Sequence, residues 1–136
     1  MEKSNEKLLI VDDSELMLEM LSRSIRRICP KDADMSILTA ASCAEARKVF
    51  KACRPGTVIL DIALPDGSGI SLLDEFRNDM HNAMPDIFML TSLNAPEIRK
   101  KCLSSGATAF FDKASLSTFL GFLQTKLNNT IDNKNN

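Results

Sequence analysis

This chain lacks any stretch long and apolar enough to span a bilayer near its start. MEKSNEK leads straight into an apolar run of four residues, 8–11, far short of the roughly 20 that a membrane helix requires. Neither a signal peptide nor membrane insertion is expected, and the expected location is cytoplasmic. A dominant charge sign is also missing. The 17 basic and 18 acidic residues give a formal charge of -1, which offers no long-range field for capturing nucleic acid or an anionic membrane, so direct nucleic-acid binding is not expected. Zinc chemistry lacks its ligands, because Cys29, Cys43, Cys53 and Cys102 stand at wide spacings without a CxxC pair or clustered histidines. They read as reduced packing residues. A second catalytic or DNA-binding domain does not fit within 136 residues. A single domain over 1–136 is expected, with its ordered core at about 7–128 and a frayed tail after Ile131, where DNKNN has nothing to bury.

What is present is an alternation of short apolar runs and helical patterns. The run 7–11 is too short for a helix and reads as a strand covered on both faces. Ser14 is placed to cap a helix carrying Leu18, Leu21, Ile25 and Ile28 at helical spacing, ended by Pro30. A second strand is expected over 35–41, then a helix over 43–53 opened by a capping box of Ser42 and Glu45, with Ala46, Val49 and Phe50 as its apolar stripe. The third strand is 57–60, and Pro65, Asp66 and Gly67 form a turn before a helix from about Ile70 with Leu73 and Phe76 inward. The fourth strand is 86–91, and Asn94 is placed to cap a loosely packed helix with Pro96 in its first turn. A fifth strand over 108–111 precedes a last helix with Leu116, Leu120, Leu123 and Leu127 inward. Five such alternations predict a doubly wound α/β fold with helices on both faces of a parallel sheet, whose strand C-terminal ends share one edge.

That edge collects the chemistry. Asp12 and Asp13 close the first strand, Asp61 the third, Thr91 the fourth, and Lys113 follows the fifth. Three carboxylates brought together repel at neutral pH and require a hard cation, a proton or a basic side chain to hold them. Mg2+ and Lys113 are the candidates.

The pieces LLIVDDSE at 8–15, VILDIALPDGSG at 58–69, MLTS at 89–92 and GATAFFDK at 106–113 resemble the receiver domains of bacterial two-component response regulators, CheY-like, over nearly the whole chain. The resemblance implies a five-stranded flavodoxin-like sheet in the order 2-1-3-4-5. It implies Asp61 as phosphoacceptor, Asp12 and Asp13 as the acidic pair for Mg2+ or Mn2+, and the backbone carbonyl of Ala63 as a further ligand. Thr91 and Lys113 would contact the phosphoryl group, and Thr91 with Phe110 would form the conformational switch, the alternative being that Phe110 is a static core residue. Ala63 and Leu93 occupy the positions that tune phosphoryl lifetime. Neither side chain orients a water, so self-dephosphorylation is expected to be slow. The implied donor is a sensor histidine kinase or a histidine phosphotransfer protein. The implied target is a protein docking on the fourth helix, fifth strand and fifth helix, a face carrying Glu97, Arg99, Lys100, Lys101, Thr118 and Gln124. Such a domain catalyses its own phosphorylation and dephosphorylation but is primarily a signalling switch. A stand-alone regulator that signals by docking is expected, the alternative being a receiver excised from a longer protein, with LNNTIDNKNN as the start of a linker.

One departure stands out. The family usually has a proline after the lysine, with a cis peptide, and this chain has Ala114. A cis bond costs about 2.5–4 kcal/mol before a non-proline residue against about 0.5–1 before proline, so a trans bond is expected and Lys113 must be placed by other means. Competing functions are a pseudo-receiver that binds partners without taking phosphate, an aspartate-nucleophile phosphohydrolase, and a nucleotide-binding domain. The hydrolase wants an acid two residues beyond its nucleophile, where Asp61 is followed by Ala63. Nucleotide binding wants a glycine-rich loop after the first strand, where VDDSEL has none.

Overall fold

A computed structural model describes residues 5–31, 34–79 and 84–135, with side chains described within residues 6–129 of these. Five parallel strands, β1 (Asn5–Val11), β2 (Asp34–Ala40), β3 (Thr57–Leu60), β4 (Asp86–Thr91) and β5 (Ala109–Asp112), pair in the order 2-1-3-4-5. They alternate with α1 (Glu15–Ile28), α2 (Cys43–Cys53), α3 (Gly69–Asn78), α4 (Pro96–Ser104) and α5 (Leu116–Asn135). The chain leaves β1 to β2 on one side and to β3 on the other, so strand order reverses between β1 and β3, where such folds place their ligands.

Strand alternation divides the core in two. Leu9, Val11, Val58, Leu60, Ile87, Met89 and Phe110 face Ala46 and Phe50 of α2, Leu72, Leu73 and Phe76 of α3, and Cys102 of α4. Leu8, Ile10, Ile59, Phe88 and Leu90 face Leu21 and Ile25 of α1 and Phe119, Leu123 and Leu127 of α5. Both sheet faces are therefore dry, as the unbroken apolar strands require. Phe119 is the α5 anchor that the leucine spacing does not reveal. It lies edge-on to Phe88 and Phe111, with Phe122 packed against the same two rings. The four thiols are free, and Cys43 and Cys102 are buried.

Helix starts follow the local chemistry. Ser14 Oγ accepts from Met17 N and Ser42 Oγ from Glu45 N, while Glu45 reaches back to Ala41 N. The expected Asn94 cap is corrected. Pro96 at the first helical position forces extended backbone on the residue before it, so Ala95 (φ -59°, ψ 142°) is the N-cap and offers no side-chain bond. The Asn94 side chain points instead to Asp112. The backbone of α5 is helical to Asn135, and the expected fraying of its tail falls on side chains outside those described.

Two side chains join elements the sequence leaves unrelated. In the turn of a small hairpin (Ala63–Leu64 with Gly67–Ser68), Asp66 accepts from Cys43 N at 2.7 Å and Ala44 N at 3.0 Å, capping α2 from outside. These two N–H bonds hold its carboxyl below the usual carboxylate range. A carboxyl depressed in the folded state contributes stability above its unfolded pKa of about 3.9 and loses it as pH falls through the lower folded value. The melting-temperature gap between wild type and Asp66→Asn is therefore expected to be full at neutral pH and to close below about pH 4. At the opposite edge of the sheet, Arg77 of α3 donates to Gly106 O at 2.7 Å, Pro85 O at 2.6 Å and Thr108 Oγ1 at 3.2 Å. Thr108 Oγ1 also accepts from Ile87 N, so one guanidinium ties α3, the start of β4 and the α4–β5 junction together.

Candidate functional site

Register brings the acidic residues together. Val11 of β1 is paired with Leu60 of β3, so the residues that follow them, Asp12 and Asp61, leave the sheet side by side at the reversal point. Both are buried, Asp12 at 2% and Asp61 at 5% exposure, whereas Asp13 faces solvent. One carboxylate oxygen from each of the three lies within 4.8 Å of the others, a hard-oxygen set of the kind that holds Mg2+ or Mn2+. Each buried carboxylate is oriented by a local N–H: Asp12 Oδ1 accepts from Ser14 N at 2.9 Å and Asp61 Oδ1 from Ile62 N at 2.7 Å.

Their remaining oxygens meet one cation. Lys113 Nζ lies 2.7 Å from Asp12 Oδ2 and 2.8 Å from Asp61 Oδ2. Burial pulls the ammonium's pKa down, but the two carboxylates outweigh it and hold Lys113 above the ordinary lysine value, fully charged at neutral pH. No described peptide bond is cis, in line with the expected trans bond before Ala114. The chain after β5 enters a single 3-10 turn (Lys113–Ser115), in which Asp112 Oδ1 accepts from Ala114 N at 2.9 Å. Asp112 Oδ2 accepts from the Asn94 side chain.

Thr91 ends β4 fully buried, and its Oγ1 accepts from Leu93 N at 3.2 Å, leaving the hydroxyl hydrogen free to donate elsewhere. Phe110, two residues before Asp112 on the neighbouring strand, is buried on the same sheet face as Met89 and packs within the core cluster that includes Cys102 and Ile98 of α4. Ala63 and Leu93 are exposed at the rim, as are Glu97, Arg99, Lys100, Lys101, Thr118 and Gln124 on the α4 and α5 surface. Gly69 is a site residue that the sequence reading passes over. Its N–H donates to Ile62 O at 2.8 Å, and a Cβ there would lie 1.9 Å from Asp61 O. Its only sequence signal is the glycine itself, after a predicted turn.

The chain that builds this site, two buried carboxylates bridged by a lysine beside an exposed third acid, matches a family model described as the response regulator receiver domain over residues 8–120. The chain belongs to the response regulator receiver family. With membership comes the receiver's activity: the domain takes a phosphoryl group onto a carboxylate, loses it again, and serves as a signalling switch. The receiver is 32% identical over 110 residues to the DNA-binding transcriptional activator DevR/DosR of Mycobacterium tuberculosis, a match covering 79% of this chain and 47% of that protein. It is 31% identical over 117 residues to protein-glutamate methylesterase/protein-glutamine glutaminase 2 of Shewanella oneidensis, covering 85% and 32%. This chain thus spans less than half the length of these relatives. Among solved structures it is similar to the Vibrio cholerae chemotaxis protein CheY4 (28% identity, TM-score 0.75, 90% of this chain and 98% of that one). The BeF3-activated N-terminal receiver domain of Klebsiella pneumoniae RstA has the same fold (24% identity, TM-score 0.76, 90% and 98%). Among the described residues, no helix is long and apolar enough to cross a membrane.

Proposed function

We propose that Asp61 is the phosphoacceptor of a single receiver domain spanning the chain, charged by a sensor histidine kinase or a histidine phosphotransfer protein. The observation that carries this reading is Lys113 Nζ held within 2.8 Å of the carboxylates of both Asp12 and Asp61, beside Asp13. An attacking carboxylate and an incoming phosphoryl group are both anionic, so transfer requires positive charge fixed in advance. Lys113 supplies one such charge. Asp12, Asp13 and Asp61, with the Ala63 carbonyl, would hold Mg2+ or Mn2+, which when bound neutralises phosphoryl oxygens and orients the group.

In the reaction an Asp61 oxygen forms a bond to phosphorus as the bond from phosphorus to the donor histidine nitrogen breaks, leaving an acyl phosphate. Lys113 then pairs with a phosphoryl oxygen rather than with the Asp61 oxygen it now holds. The Thr91 hydroxyl donates to another phosphoryl oxygen, which draws the β4–α4 loop toward the site and alters the space beside Phe110. The exposed surface of α4, β5 and α5 carries that change to a protein target.

The test is intact-mass measurement of the protein incubated with acetyl phosphate. A gain of one phosphoryl group is expected with Mg2+ and none with chelator. After the phosphodonor is removed the mass should decay slowly, since neither Ala63 nor Leu93 carries a side chain able to orient an attacking water. Absence of any gain would make the domain a binding pseudo-receiver. Loss of the label within seconds would contradict the slow decay.

A further inference from the structure

We propose that Asp112 is a positioning residue, a joint that holds the loop of Thr91 and the turn of Lys113 in fixed relation. This inference rests on the phosphoacceptor reading above and assigns a residue that contacts neither metal nor phosphoryl group. Asp112 is the last residue of β5 and is paired in register with Thr91, the last residue of β4. Its two carboxylate oxygens point to different loops. Oδ1 accepts from Ala114 N and closes the turn that begins at Lys113; Oδ2 accepts from the Asn94 side chain, three residues beyond Thr91.

Few other bonds are available to these segments. The α4 N-terminus has no side-chain cap, and the loop before it runs through exposed Ser92, Leu93 and Asn94. The Lys113 turn is one 3-10 turn long, and Ala114 and Ser115 are exposed. Lys113 must nevertheless carry its ammonium back over Asp12 and Asp61 with only 18% of its side chain exposed, which restricts where its Cα can lie. The same carboxylate thus sets the base of the lysine and anchors the threonine loop. Both of its bonds favour the ionised form, and the N–H of Ala114 and then the Asn94 amide hold the carboxyl below the usual range, so the joint stays charged at neutral pH.

The joint is tested by exchanging its partners. Asn94→Asp sets two carboxylates against each other. Adding Asp112→Asn restores a donor facing an acceptor in reverse, while the side-chain oxygen of the amide introduced by that change still accepts from Ala114 N–H. Phosphorylation by acetyl phosphate is followed by intact mass at saturating Mg2+, with melting temperature as the check on folding. Asp112→Ala and Asn94→Asp are each expected to slow phosphorylation by roughly tenfold to a hundredfold, since a misplacement of about 1 Å costs on the order of 10²-fold. The exchanged pair should recover most of the rate, and amide hydrogen exchange at Ala114 should quicken in Asp112→Ala and not in the exchanged pair. Wild-type rates in Asp112→Ala, or a loss in Asn94→Asp that the exchange does not repair, would overturn the joint. If wild type itself takes no phosphoryl group, the phosphoacceptor reading fails instead.

Discussion

Asp61→Asn is expected to abolish phosphorylation while leaving the domain folded. A neutral amide oxygen is a poor nucleophile toward phosphorus, and no described carboxylate other than Asp12 and Asp13 lies in the cluster to replace it. Asp12 is already committed to Ser14 N and Lys113. Intact-mass spectra should show no added phosphoryl group at any acetyl phosphate concentration that labels the wild type. Stability is expected to change little, because two effects of the substitution oppose each other. The amide can keep the bond from Ile62 N–H, but its NH2 then faces the Lys113 ammonium, donor against donor, and Lys113 retreats to Asp12. Against that loss, three neighbouring carboxylates become two, and their repulsion is relieved. A mass gain in Asp61→Asn equal to that of wild type would move the phosphoacceptor elsewhere. Collapse of the melting transition would show the carboxylate to be structural.

Gly69→Ala is expected to be the most destabilising glycine-to-alanine change in the chain. The added Cβ would meet Asp61 O at 1.9 Å, the Asp61 carbonyl carbon at 2.8 Å and Ile62 Cα at 2.9 Å, all backbone atoms without a rotamer to retreat into. Overpacking typically costs about 1–3 kcal/mol, and a clash with fixed backbone belongs at or above the top of that range. Against a total stability of about 5–15 kcal/mol, urea unfolding should show an unmistakable drop in midpoint. The strain falls on the peptide after β3, so the surviving folded fraction should also phosphorylate slowly because Asp61 is displaced. Gly121→Ala supplies the contrast. It sits on exposed α5 with nothing within 4 Å of its Cβ, and the better helix former should raise stability by about 0.5–1 kcal/mol. A neutral Gly69→Ala would mean that the β3–α3 connection yields more easily than its contacts imply.

Much of this fold is legible in local pattern. The capping box of Ser42 and Glu45 and the bounds of α2 and β3 depend on chemistry within a few residues and stand where the pattern places them, while β2 and β5 lie one residue earlier and one later than expected. The site is legible to the same degree, because strand register turns Asp12 and Asp61 into neighbours once the strands are known. What pattern could not show are bonds between segments distant in sequence. Asp66 reads as a turn residue and also caps α2, 22 and 23 positions away. Asn94 reads as a helix cap and instead serves Asp112, because Pro96 had already fixed the helix start at Ala95. Phe119 was hidden among better-spaced leucines, since spacing ranks positions and not the size of the rings that meet there.

The Arg77 contacts have a mechanical consequence for α4. The far end of that helix is bolted to α3 through Gly106 O and Thr108 Oγ1, whereas its near end, at Ala95, has no side-chain cap. The helix is therefore expected to swing as a lever about its base, against the single Asn94–Asp112 bond near its tip. Nine residues make an arm of about 13 Å, so a tilt of roughly 10° at its base sweeps the tip about 2 Å. Arg77→Met would loosen the pivot and let the arm slide as well as swing.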